Sequence, residues 1–133
     1  MDFSLSQALI KVGAVYLIYK VEFPQKIKSK YIIVLEDFCN TSDDIICVLT
    51  TSNLDHHYRL SSVKVDYSED SVFPETTLIE CDNYWVIPIH ILMNPEKSRY
   101  IGNVGQDIVE QIYDAFTHVR EIPTELLIRI FPE

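Results

Sequence analysis

The chain is poor in glycine and in positive charge, and its cysteines do not pair. Three glycines in 133 residues leave no Gly-rich phosphate-binding loop and no nucleophile elbow. Cys39, Cys47 and Cys81 are an odd number without a CxxC spacing, which argues against a disulfide scaffold and against a structural zinc site. No cofactor is implied by any motif. Eleven basic residues face twenty acidic ones, for a net charge of −9. Phosphate neutralisation by Lys and Arg supplies most non-specific affinity for nucleic acid, so the chain is a poor general nucleic-acid binder. Apolar runs such as Tyr31 to Leu35 are far too short to span a bilayer. The first residues show neither the basic n-region nor the long apolar core of a signal peptide. A soluble, cytoplasmic protein without a membrane partner is the expectation.

What is present suits a packed globule. Hydrophobic residues make up 47% of the chain, with eight Tyr and six Phe, too apolar for intrinsic disorder. Residues 1–133 match one domain with its own core. The charge is unevenly placed. Residues 1–30 hold five lysines and two acids, residues 31–96 two basic residues and twelve acids, and residues 97–133 four basic residues and six acids. Any RNA contact would draw on the basic N-terminal segment, while the acidic middle suits a basic partner protein.

Short β-branched and aromatic runs alternate with turn-rich stretches. Val15–Tyr19, Tyr31–Leu35, Ile45–Thr50, Tyr58–Val65, Thr77–Cys81 and Trp85–Leu92 read as strands. Pro88 marks an edge or a bulge in the last of these. Residues 2–9 form a helical turn, 66–76 a loop, and Tyr100–Gly102 leads into a helix. Ile108, Ile112, Ala115, Phe116 and Val119 then trace one apolar stripe, predicting a helix over 106–119. Thr124 to Ile130 allows helix or strand. The pattern predicts a mainly β domain, a small antiparallel barrel with a late helix over one face.

The stretch Thr77-Leu78-Ile79-Glu80-Cys81-Asp82-Asn83 concentrates the chemistry. Glu80 and Asp82 lie two apart, so an extended chain presents both carboxylates on one face. Such a pair is either poised for acid–base work or a solvated strand end before a turn. His56 of Asp55-His56-His57 is a candidate general base near Thr50, or part of an exposed loop. A metal site from those three neighbours is disfavoured, because adjacent residues rarely converge on one ion. Tyr84 and Trp85 could stack a base, or fill a core or dimer interface. His90 and His118 are expected on strand and helix surfaces. Cys47 and Cys81 read as small buried hydrophobes.

Taken in order, three local motifs resemble the MazF/PemK/Kid family of toxin endoribonucleases. Gly13-Ala14-Val15-Tyr16-Leu17-Ile18 is similar to the family's opening strand. Lys30-Tyr31-Ile32-Ile33-Val34-Leu35 and Cys47-Val48-Leu49-Thr50-Thr51-Ser52 are similar to its central strands. Leu78-Ile79-Glu80-Cys81-Asp82-Asn83 is close in form to its "V-I-R-C-D-Q" segment, and Arg99-Tyr100-Ile101-Gly102 before the helix resembles its closing turn. The resemblance spans nearly the whole chain. It implies an SH3-like barrel acting as a homodimer, cleavage of single-stranded RNA without a metal by 2′-hydroxyl attack, and a cognate antitoxin as partner. Carried over residue by residue, it implies catalytic roles at Thr50, Asp82 and Lys30, with Glu80 and His56 as acid–base candidates. Lys26, Lys28 and Arg59 are the implied RNA contacts. Lys30 stands where the family has arginine, keeping the charge but not the bidentate fork. Glu80 reverses the sign of another family arginine. A carboxylate about 4 Å from a phosphate costs roughly 4 kcal/mol at an effective dielectric of 20. A toxin-like barrel that binds protein rather than cleaving RNA is the alternative.

Overall fold

Isoleucine- and valine-rich segments build the sheet that organises the molecule. The computed structural model describes residues 8–19, 29–39, 43–54, 61–69 and 71–131. Within them the strands are β1 (Ala14–Ile18), β2 (Lys30–Val34), β3 (Asp44–Thr51), β4 (Ser62–Val65), β5 (Thr77–Pro88) and β6 (Ser98–Asn103). Three helices are described in full: α1 (Ile89–Leu92), α2 (Gln106–Phe116) and α3 (Thr124–Ile130). The strands form one sheet in the order β4-β5-β3-β2-β1-β6, and every neighbouring pair is antiparallel. The expected mainly β architecture with C-terminal helices is therefore present. Among the described residues the barrel is open: β4 and β6 end the sheet rather than pairing with each other.

Both faces of the sheet are buried, which explains why the central strands are apolar at successive positions rather than at alternate ones. One face packs Tyr16, Ile18, Ile32, Val34, Ile45, Cys47 and Ile87 against Ile91 and Leu92 of α1. The other packs Val15, Ile33, Ile46, Val48, Ile79 and Cys81 against Ile112, Ala115 and Phe116 of α2 and Ile130 of α3. Ile112 and Phe116 are almost fully buried, each contributing about 2 kcal/mol through apolar area removed from water.

The local chemistry explains where the elements depart from expectation. Thr77 to Pro88 is one long strand rather than two. Its pairing with β3 jumps from Leu49↔Glu80 to Val48↔Tyr84, so Cys81, Asp82 and Asn83 form a bulge without partners on that strand. Pro88 closes β5 and precedes α1, so the expected strand Trp85–Leu92 ends in a helical turn. Proline lacks an N–H, which is no loss at a helix start, and the next amide, Ile89, donates to the Asp43 carbonyl at 3.0 Å. Thr124–Ile130 resolves as helix. The expected helix over 106–119 is regular to Phe116 and then tightens. The amides of Thr117, His118 and Val119 donate to the carbonyls three residues back, at 3.0 to 3.1 Å.

Two sets of long-range contacts fasten the chain segments around the sheet. Gly13, at φ 94°, receives the Val104 amide on its carbonyl and donates its own amide to Val34, both at 2.9 Å. Only glycine adopts this backbone without strain. Arg129 on α3 reaches Glu36 and Asp44, 93 and 85 residues earlier in sequence. Residues 2–7 of the expected turn at 2–9 and the start of the Tyr58–Val65 strand lie outside the described residues.

Candidate functional site

Three of the sequence candidates, Lys30, Thr50 and Asp82, fall into two separate depressions. The first, of about 180 Å³, lies at the ends of β2 and β3 and is lined by Ser29, Lys30, Thr50, Thr51, Ser52 and Glu75, among others. Here the fold brings Lys30 and Thr50 together, as neighbouring strands with matched register require. Thr50 is only 3% exposed, and its hydroxyl donates to the Tyr31 carbonyl at 2.9 Å. That bond extends the β2–β3 contact past its last ladder pair, Ile32↔Leu49. Thr51 is also buried, and its Oγ1 accepts from the Asn53 amide at 3.1 Å, turning the chain after β3. Ser52, Glu75 and the half-buried Lys30 are the accessible polar groups of this pocket. Tyr31, which also lines the pocket, packs edge-on against the buried Phe73 with ring centroids 5.8 Å apart.

The second depression is an open cleft of about 930 Å³ lined by Ser61, Asp82, Tyr84, Thr117, His118, Val119, Arg120 and Glu121. The β5 bulge delivers Asp82 to it, exposed beside the buried Cys81. Opposite lies the segment that comes after α2. The Tyr84 hydroxyl donates to the Glu121 carbonyl at 2.9 Å, fixing that segment against β5. Burial pushes the Cys81 thiol up to about 12, with the Asp82 charge adding to the effect. Cys81 is thus a packed hydrophobe, as its sequence context suggested, and its Sγ contacts the Ile112 carbonyl. Cys47 is likewise fully buried, and burial raises its thiol as well.

Asp82 and Thr50 therefore do not share a pocket, and half-buried Glu80 lines neither. Glu80 pairs across the sheet with Leu49 and Ser62, one residue out of phase with Thr50↔Ile79. Alternation then sends Glu80 and Thr50 to opposite faces. His56, Lys26, Lys28 and Arg59, and with them Asp55 and His57, lie outside the described residues. Trp85 packs against the core face that holds α1, and Tyr84 against the face that holds α2. His90 is exposed on α1 rather than on a strand. Among the described residues no group of three or more His, Cys, Asp or Glu is placed to hold a metal ion. Nor is any helix among them long and apolar enough to cross a membrane.

The architecture has clear counterparts among solved structures. An endoribonuclease in complex with its cognate antitoxin, from a mycobacterial species, superposes with a TM-score of 0.60 at 16% identity, covering 85% of this chain and 96% of that one. A second mycobacterial endoribonuclease gives 0.59 at 16% identity, over 84% and 90% of the two chains. The Mycobacterium tuberculosis toxin MazF-mt6 gives 0.58 at 14% identity, over 80% and 94%. The chain has the MazF toxin fold. By sequence, no family model and no curated protein matches it.

On this MazF fold, the residues that sequence reasoning left aside are Arg120, Glu121 and Glu75. His118 was expected on a helix surface, and its place at the cleft depends on the tightened turn after Phe116. The available signal was the run of polar residues Thr117, His118, Arg120 and Glu121 that surrounds Val119 at the end of the α2 stripe. Such a run has no reason to be buried, and it sits where a helix end meets a sheet.

Proposed function

We propose that the chain is a toxin-like endoribonuclease that cleaves single-stranded RNA by attack of a ribose 2′-hydroxyl on the adjacent phosphate. The observation that carries this reading is the fold shared with mycobacterial endoribonucleases over more than four-fifths of the chain. Fold and activity are separable in general, so residues must supply the rest. Lys30, beside Ser52, offers a cation and a hydroxyl donor suited to a backbone phosphate. Asp82, on the bulge, offers a carboxylate to accept a proton. Thr50 is given a supporting part, because its hydroxyl already holds β3 to β2. The reaction needs a base, an acid and donors on the non-bridging oxygens, and the proposed mechanism assigns no step to a metal. By analogy with the neighbour bound to its cognate antitoxin, an antitoxin protein is the proposed partner. A homodimer acting in the cytoplasm completes the proposal.

The competing reading, a toxin-like barrel that binds protein, draws on one observation. The two carboxylates of the opening motif are separated, with Glu80 half-buried on the sheet and Asp82 at a cleft. The two readings diverge on induction in bacteria. Growth arrest with RNA breakdown, abolished by Asp82→Asn, supports the nuclease. Normal growth and intact RNA with folded protein present would remove it.

A further inference from the structure

Strand β6 ends the sheet, and no strand among the described residues pairs with its outer side. We infer that this edge, with the aromatic pocket beside it, takes up an extended segment of a partner protein in which a large apolar residue is flanked by acidic ones. The inference does not depend on RNA cleavage.

The backbone sets how such a segment would pair. The Tyr19 amide donates to the Lys97 carbonyl at 3.0 Å. Bonded and non-bonded pairs alternate along an antiparallel ladder, so Leu17↔Arg99 is the next bonded pair. Tyr16↔Tyr100 then falls in the non-bonded phase, which turns the Tyr100 N–H and C=O to the outer side. An added strand uses such groups: main-chain bonds supply affinity, and side-chain pockets supply specificity.

A pocket of about 370 Å³ opens at the same place, with Tyr16, Tyr19, Leu92, Met93 and Tyr100 in its lining. The Tyr16 and Tyr100 rings meet edge to face, centroids 5.6 Å apart. Asn103 Nδ2 donates to the Tyr100 hydroxyl at 2.7 Å, which holds that ring. The Ser98 hydroxyl donates to the Ile91 and Leu92 carbonyls at 2.7 and 3.2 Å, which ties the end of α1 to β6. Strand and pocket are thus fixed relative to each other, and such preorganisation lowers the ordering cost of association. On an added strand, the residue opposite Tyr100 shares its face and meets the pocket. The next residue falls opposite Arg99, which is exposed on the pocket rim.

Charge selects the occupant. Residues 96–103 carry Lys97 and Arg99 against Glu96, a net +1 in a chain of net −9. The other edge strand, β4, adjoins a depression lined by Asp107, Glu110 and Asp114, which repels an acidic segment. A second copy of β6 would gather like charges on one ribbon, and positive charge on an edge strand guards against that self-pairing.

The test titrates isotope-labelled protein with the capped hexapeptide Val-Glu-Phe-Glu-Val-Glu and follows amide NMR shifts. Shifts should centre on residues 97–103 and the pocket, and saturate below about 1 mM peptide. The version with lysine for each glutamate should bind about tenfold more weakly, and Arg99→Glu should reverse that preference. N-methylation at the Phe nitrogen removes the donor to the Tyr100 carbonyl and should abolish binding by the unaltered protein. Lys64→Glu, on β4, should match the wild type. No saturable shift up to about 1 mM, or full binding by the N-methylated peptide, overturns the inference. So does binding lost in Lys64→Glu and kept in Arg99→Glu, which moves the peptide to the opposite edge. Concentration-dependent shifts at 97–103 without peptide would assign the edge to a second copy. Nuclear Overhauser contacts there from residues 1–7 or 20–28 would assign it to this chain, and either result overturns the partner. None of these outcomes touches the nuclease reading, which gives Arg99 and Tyr100 no part.

Discussion

Replacing Arg129 by methionine keeps the length of the side chain and removes its guanidinium. In the fold, Nε donates to both Glu36 carboxylate oxygens at 3.1 and 3.2 Å, and Nη2 makes a short contact to Glu36 Oε1. Nη2 also donates to the Asp44 carbonyl at 3.1 Å and to Asp44 Oδ1 at 2.8 Å. The side chains of Arg129, Glu36 and Asp44 are 30%, 18% and 44% exposed. Removing one partner of a fully buried pair costs about 3–5 kcal/mol, whereas an exposed pair contributes about 0–1 kcal/mol. The Glu36 half lies nearer the first limit and the Asp44 half nearer the second. Glu36 keeps one donor, the Ile46 amide at 2.9 Å, which softens the loss. Solvent screening brings the net cost to about 2 kcal/mol. With a urea m-value of about 2 kcal/mol/M for a domain of this size, the unfolding midpoint should fall by about 1 M. A double-mutant cycle with Glu36→Gln should return a coupling of about 1 kcal/mol or more. A midpoint shift under about 0.25 M, or a coupling near zero, would refute the assignment of this pair as the lock that holds α3 on the sheet.

The same geometry supports two more expectations. Gly13→Ala puts a Cβ at φ 94° and 3.3 Å from Val109 Cγ2, so thermal or urea unfolding should show a loss of about 1–2 kcal/mol; an unchanged midpoint would mean that β1 and the turn before α2 relax together. Stability should also fall at alkaline pH. Burial, reinforced by Tyr100, raises the Tyr16 hydroxyl from 10.0 to about 12, and burial with Asp82 raises the Cys81 thiol from 9.0 to about 12. Both groups keep their protons in the folded state and lose them earlier when unfolded. Their contribution is therefore full below pH 9 and declines from pH 9 to 12, by up to about 1.4 kcal/mol per pH unit for each titrating group. Urea midpoints under reducing conditions at pH 8 to 11 test this, with Tyr16→Phe flattening the upper part of the decline.

Strand positions were legible because the driving force is local. Ile45 to Leu49 and Tyr31 to Leu35 have few alternatives to a doubly buried strand. The α2 stripe was legible for the same reason, since Ile112, Ala115 and Phe116 repeat at helical spacing. What local patterns do not carry is long-range closure. Openness of the sheet depends on whether β4 and β6 meet, and neither sequence states its partner. The bulge at Cys81–Asn83 was equally hidden, because three residues looped out of a strand carry the same letters as three residues within it. This is why Asp82 and Thr50, near in a motif comparison, lie at different depressions. The switch at Pro88 from strand to helix was half legible: proline announces an interruption, but not the helical turn on its far side. Arg120 lacked a motif of its own, and only the tether from Tyr84 to Glu121 gives it a place.

The position of β1 between β2 and β6 has a consequence for how the protein comes into being. A ribosome delivers Ala14–Ile18 and Lys30–Val34 early, yet the second neighbour of β1 arrives only with Ser98–Asn103. The segment bearing His118 and Arg120 emerges later still. Contacts separated by eighty residues or more cannot form until both halves exist, and they carry a loop-closure cost that slows their formation. Synthesis order thus limits assembly order: β1 gains its second neighbour only after most of the chain has been made.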